Sequence, residues 1–164
     1  MMMRISIAAT LAALGLLAPV APAFAGSDSD SFTVSATVLE SCSVNANDLA
    51  FGNYDPVAST PLDSSTTIVV TCTNGTDYDV ALDAGIGAGA TVGARRMSAG
   101  ADVLEYSLFT DASRSDLWGE AGGDLVSATG SGLAQTHHVY GRVPVNQDAP
   151  AGDYEDTITV TVTY

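Results

Sequence analysis

From Phe32 onward, apolar residues recur at every second position, segment after segment. Phe32, Val34, Ala36 and Val38 share one face of an extended run, with Thr33, Ser35 and Thr37 between them. Residues 66–73 (TTIVVTCT) are β-branched almost throughout. Tyr78, Val80 and Leu82 alternate with Asp77, Asp79, Ala81 and Asp83. Val103–Phe109 and His137–Val143 continue the theme, and Thr157–Tyr164 separates an apolar face from a threonine face. A period of two predicts strands half-buried against a core. Between the runs lie Asn74-Gly75, Gly85 to Gly93, Gly122-Gly123, Gly130 to Gly132 and Ala149-Pro150-Ala151-Gly152, all turn or loop signals. Past the first 25 residues no segment repeats every 3.6 residues. Short strands punctuated by Gly and Pro predict one antiparallel β-sandwich, with neither linker nor internal repeat.

The first 25 residues follow another pattern. Arg4 supplies a positive end, Ile5 to Val20 is an Ala/Leu-rich apolar run, and Ala23-Phe24-Ala25 places small residues where a signal peptidase reads. This predicts a secretory leader, residues 1–25, with the mature chain starting at Gly26. The apolar run is too short for a bilayer span, which needs about 20 residues, and Gly15, Pro19 and Pro22 interrupt it. The rest has room for one domain.

Charge narrows the partners. The 164-residue chain has 19 acidic residues against 5 basic ones, all arginine, for a net charge of -14. Such a surface is repelled by phosphate backbones and anionic lipid, so neither nucleic acid nor a basic membrane contact is expected. The charge favours solubility in an exposed setting.

Export makes the cysteines legible. Cys42 and Cys72 are the only pair, 30 positions apart, and an oxidising compartment is expected to join them. A metal site would need more ligands, and no histidine lies beside either thiol in sequence to activate it.

Other candidate chemistry carries less. His137-His138 invites a metal or catalytic reading, but neighbours on a strand point to opposite faces, so one inward and one outward ring is expected. Asp77, Asp79 and Asp83 could bind calcium from one face, yet no EF-hand-like loop accompanies them; a solvated acidic face is expected. Asn74-Gly75-Thr76 fits a glycosylation sequon, but Asn-Gly is also a preferred hairpin turn, which is the favoured reading. Arg95-Arg96 is a rare positive point and is expected to pair with a carboxylate. Trp118 and Tyr140 are assigned to packing. No nucleophile-elbow pattern is present, so no catalytic residue, metal or cofactor is assigned.

The two ends supply the functional clue. The closing strand is apolar enough to lie against the core, and no residues follow Tyr164 to pair with it. The opening strand, Phe32 to Val38, follows a polar stretch, Gly26 to Asp30. The chain reads as having a strand to spare at its start and an opening at its finish, although a closed sandwich could begin and end the same way.

A set of short motifs then gives a family resemblance: Cys42 with Phe51-Gly52-Asn53-Tyr54-Asp55-Pro56, Val70-Thr71-Cys72-Thr73-Asn74-Gly75, Val80 to Gly85, Arg95-Arg96-Met97, Tyr106 to Asp111, Trp118-Gly119, Val139 to Pro144 and Gly152-Asp153-Tyr154. In this order the chain resembles the spore coat U family, which includes subunits of archaic chaperone–usher pili. The resemblance implies an incomplete immunoglobulin-like sandwich, residues 41–164, completed by a donated strand, with residues 26–40 as the donor extension. Carried over by position, the donor residues are Phe32, Val34, Ala36 and Val38, and Ile158, Val160 and Val162 border the acceptor groove. It further implies a structural pilus subunit serving adhesion or biofilm formation. Its partners would be like subunits head-to-tail, a periplasmic chaperone and an outer-membrane usher. A spore- or cell-coat protein assembled by the same donation is an alternative, as is a secreted monomer whose own strand folds back in cis, a binding module or hydrolase.

Overall fold

The computed structural model describes residues 24–164, so the expected leader lies, but for its last two residues, outside what is described. The chain divides into a first unit ending at Ala36 and a body, Thr37–Tyr164. Residues 24–36 form neither strand nor helix, and Phe32 and Val34 are 88% and 82% exposed. Among the described residues, the run Phe32–Val38 forms no strand and pairs with none. Alternation supplies two faces, but a strand also needs a neighbour for its backbone groups.

The body is all-β. Its strands are β1 (Cys42–Ala46), β2 (Leu62–Cys72), β3 (Asp77–Leu82), β4 (Arg95–Ala99), β5 (Asp102–Phe109), β6 (Val126–Thr129), β7 (Gln135–Val143) and β8 (Val160–Thr163). One sheet has the order β1-β2-β7-β5-β4 and the other β6-β3-β8, with every pairing antiparallel. Inward residues of both sheets make the core: Ile68 and Val70 from β2, Tyr78, Val80 and Leu82 from β3, Leu104, Tyr106 and Leu108 from β5, and Val139 and Val143 from β7.

Three strands escape the period-two reading. β1 is short and polar, and it is held beside β2 by the cross-strand disulfide Cys42–Cys72, whose residues are direct partners. β6 is a four-residue run of small side chains. β4 opens with two arginines, a poor strand signal, and its conformation follows from what Arg95 does. β8 is shorter than the expected Thr157–Tyr164. Ahead of it, the Asp83 carboxylate accepts the Thr159 N–H at 2.9 Å and the Asp156 carboxylate accepts that of Thr157 at 2.8 Å, so side chains replace the ladder there. Asn74-Gly75 is a turn, with Gly75 at φ 86°. It joins β2 and β3, which lie in different sheets, so it is a corner and not a hairpin.

Arg95 corrects the expectation of a carboxylate partner. It is fully buried, and its guanidinium donates to four backbone carbonyls: Asp83 at 2.8 Å, Val92 at 2.9 Å, Leu82 at 3.1 Å and Trp118 at 2.7 Å. Burial pulls its pKa below the ordinary value, although Tyr106 and nearby carboxylates oppose this. Trp118, equally buried, donates its indole N–H to Val80 O at 2.9 Å. Together they tie β3, β4 and the loop after β5 into one unit. Arg96 does pair as expected, with Glu105 at 3.0 Å.

The histidines point to opposite faces. His137 sits between the sheets, its Nε2 2.9 Å from the Tyr78 hydroxyl and its ring edge-on to Tyr78 and Trp118. His138 is exposed and stacks on Tyr140.

Two outcomes follow from these contacts. Arg95→Ala should lower unfolding free energy by about 3–5 kcal/mol in a urea titration, because two buried and two part-buried carbonyls lose their donor. Burial also lowers the His137 pKa from 6.5, so the unfolded chain takes up that proton first on acidification. Stability from this group is whole above pH 6.5 and declines below it. The melting temperature should fall between about pH 7 and about pH 5, and His137→Gln should flatten that slope.

Candidate functional site: a cleft between two sheet edges

The register identifies an open side of the sandwich. Cys42, Val44 and Ala46 on β1 stand opposite Cys72, Val70 and Ile68 on β2, so they share the core-facing side. Val70 is 0% exposed, yet Val44 is 42% exposed and Ala46 is exposed too. In the other sheet, Val160 and Val162 on β8 stand opposite Leu82 and Val80. Those two are buried, while Val160 and Val162 are only half-buried. β1 pairs only with β2 and β8 only with β3, so each is an edge strand among the described residues. Two core-facing strands are thus left half-covered on the same side of the molecule.

Between these edges lies a cleft of about 740 Å³. Its floor includes Ile68, Leu82, Leu108 and Val139 from the core. One wall is Ala46 and the segment after β1, the other the segment leading into β8. Of the three groove residues expected from sequence, Ile158 and Val160 line the cleft. Val162 packs on the core beside it without lining it. Ile158 precedes β8 and belongs to no strand.

Side-chain hydrogen bonds shape the first wall. Asn47 donates its side-chain amide to Thr67 Oγ1 at 2.9 Å, Thr66 Oγ1 donates to Asn47 O at 3.1 Å, and Ser64 Oγ donates to Ala50 O at 2.7 Å. They hold the chain along β2 beyond the end of β1, bringing Leu49 and Phe51 over the cleft. Phe51 meets Tyr106 edge-on at 5.9 Å. Its position requires Gly141 on β7, where a Cβ would come within 2.7 Å of the Phe51 ring and 2.9 Å of Leu49.

Asp156 organises the second wall. Its carboxylate accepts the Tyr106 hydroxyl at 2.7 Å and the Ile86 N–H at 2.9 Å. Burial raises the Tyr106 pKa well beyond the ordinary phenol range, and the bond to Asp156 adds to this, so the hydroxyl remains a donor. Asp83 fixes the next residues. Burial would raise its pKa, but hydrogen bonds from Thr159 and Gly85 and the nearby Arg95 outweigh this and lower it.

Sequence reasoning missed the β1 wall and the aromatic lining. The alternation Cys42, Val44, Ala46 was available as a signal, but it runs for only five residues with two small apolar members. The acidic residues do not converge. Asp77 and Asp79 accept the hydroxyls of their cross-strand partners Thr129 and Ser127, while Asp83 is engaged by backbone N–H groups.

Comparison with known proteins agrees with this architecture. Residues 28–161 match the Spore Coat Protein U domain. Protein U of Myxococcus xanthus is 33% identical over 176 residues, covering 98% of each chain. A chain in the crystal structure of the CsuC–CsuE chaperone–tip adhesion subunit pre-assembly complex, from archaic chaperone-usher Csu pili of Acinetobacter baumannii, superposes with a TM-score of 0.56 at 29% identity. That alignment covers 78% of this chain and 41% of the other, so this chain spans about two fifths of its length. The fold is accordingly immunoglobulin-like, and the chain belongs to the Spore Coat Protein U domain family.

Proposed function

We propose that the protein is a non-enzymatic structural subunit of an extracellular fibre, assembled by strand donation between copies. The observation that carries this reading is the cleft between β1 and β8, whose core-facing residues are left half-covered. Its natural occupant is an extended strand with apolar side chains at alternate positions. Such a strand gains main-chain hydrogen bonds along its length and sets its side chains into the cleft. The segment Phe32, Val34, Ala36 and Val38 has that pattern and is exposed. Each large plug contributes roughly 1.5–3 kcal/mol on burial.

On this reading residues 1–25 are removed on export, residues 26–40 are the donor, and residues 41–164 form the acceptor domain, with Ile158, Val160 and Val162 beside the incoming strand. Donation is head-to-tail, so it propagates as a fibre unless its rotation closes a ring. An unfilled cleft is an apolar surface with bare edges, which calls for a periplasmic chaperone before assembly and an outer-membrane usher to direct exchange. The tip-subunit complex of the Csu pilus supports the chaperone partner. The finished fibre would serve attachment or biofilm formation. A coat assembled by the same donation is the second reading, favoured by the match of residues 28–161 to the Spore Coat Protein U domain.

Unboiled samples on a denaturing gel should give a ladder of oligomers that collapses to monomer on boiling. A lone monomer, unchanged when residues 26–38 are deleted, would exclude donation between copies. Genes for a chaperone and usher beside this one would favour pilus over coat. Ala36 fills its position least and is the point where exchange starts most readily. Ala36→Asp should abolish the ladder while leaving the chaperone complex intact, measured by co-purification; normal ladders from this variant would show that the donor register is wrong.

A further inference from the structure

The donor and the cleft carry the same charge. Residues 26–40 include Asp28, Asp30 and Glu40 and no basic residue. The cleft is lined by Asp48, Glu155 and Asp156, again with no basic residue among its lining. Asp48 and Glu155 are exposed at the mouth. None of the described arginines lines the cleft. Arg95 is buried on carbonyls, Arg96 pairs with Glu105, and Arg114 and Arg142 both pair with Asp63, at 3.3 and 2.8 Å. Behind these local charges stands a net charge of -14 on each copy.

We infer that like charge on the donor segment and the cleft mouth acts as a brake on self-assembly, so that ionic strength sets the rate at which one copy's strand enters another. The inference rests on the strand-donation reading and adds its regulation. Interfaces selected for rapid spontaneous association carry opposite charges, which steer encounter. Here every approach of donor to cleft brings acid toward acid. The affinity of the finished joint comes from Phe32, Val34 and Val38 and the backbone ladder, which salt affects little. The brake therefore acts on encounter and leaves the completed fibre intact. At low salt the repulsion reaches across about 30 Å, and at physiological salt across only about 8 Å. Free copies held apart in this way have time to meet an assembly partner before they polymerise.

The test uses the full mature chain and a fluorescent peptide of residues 26–40, with uptake followed by anisotropy and by a boiling-sensitive band on a gel. Between about 20 mM and about 300 mM NaCl, the association rate should rise about tenfold. A peptide carrying Asp28→Asn and Asp30→Asn, with its plugs unchanged, should enter faster at low salt and show a flatter salt dependence. General salting-out acts on both peptides alike, so the difference in slope is the diagnostic quantity. Equal slopes, or a rate that falls with salt, would overturn the brake while leaving strand donation standing. Failure of both peptides to enter at any salt would overturn the strand-donation reading, and the brake with it.

Discussion

A strand at the edge of a sheet leaves a row of backbone N–H and C=O groups without partners, and a core-facing edge strand also leaves apolar side chains half-covered. Most sandwiches keep such edges short, charged or covered. In this protein β1 and β8 border the same cleft, one from each sheet, with Ala46 and Val160 lining it and Val44 left half-covered beside them. The β4 edge is guarded by contrast: Arg96 sits on it, and Ser98 forms an isolated bridge with Glu155. Paired exposure at one place, beside a cleft floored by the core, is the constraint from which the functional reading follows.

A half-covered cleft stays open only if its walls cannot collapse into it. Each wall is anchored by polar groups and not by apolar packing alone. Asn47, Thr66 and Ser64 bind the first wall to β2, the Cys42–Cys72 disulfide fixes the strand that leads into it, and Asp156 and Asp83 brace the segment before β8. Beneath them, Arg95 and Trp118 crosslink β3, β4 and the loop after β5 through backbone carbonyls. Hydrogen bonds fix direction where hydrophobic contact does not, so this framework holds the two edges apart at a set spacing. Gly141 serves the same end by leaving room for Phe51 and Leu49 beside the floor.

Period-two patterning made β2, β3, β5 and β7 legible, because each buries one face and the other meets solvent or polar groups. The opposed directions of His137 and His138 could be read the same way. What the pattern hid were elements whose conformation depends on a distant partner. β4 is a strand because Arg95 finds four carbonyls, three of them 12 to 23 residues away and not visible from the local run of residues. β1 depends on β2 and a disulfide, and β8 starts late because two carboxylates intercept its first N–H groups. The family resemblance placed the acceptor side on β8 and the residues leading into it, whereas β1 supplies the facing wall with a far weaker sequence signal.

Acidity and incompleteness bear on one another. An apolar cleft with open edges is an aggregation hazard in any soluble chain, and copies of this one meet at high local concentration if they assemble into a fibre. Net negative charge without a single lysine makes indiscriminate contact between copies costly at long range, while leaving short-range strand pairing intact once the edges meet. One of the carboxylates that line the cleft also builds it, since Asp156 holds Tyr106 and Ile86 in place. Charge and architecture are therefore not separable here: neutralising the cleft at Asp156 to speed association would also loosen the wall against which an incoming strand must pack.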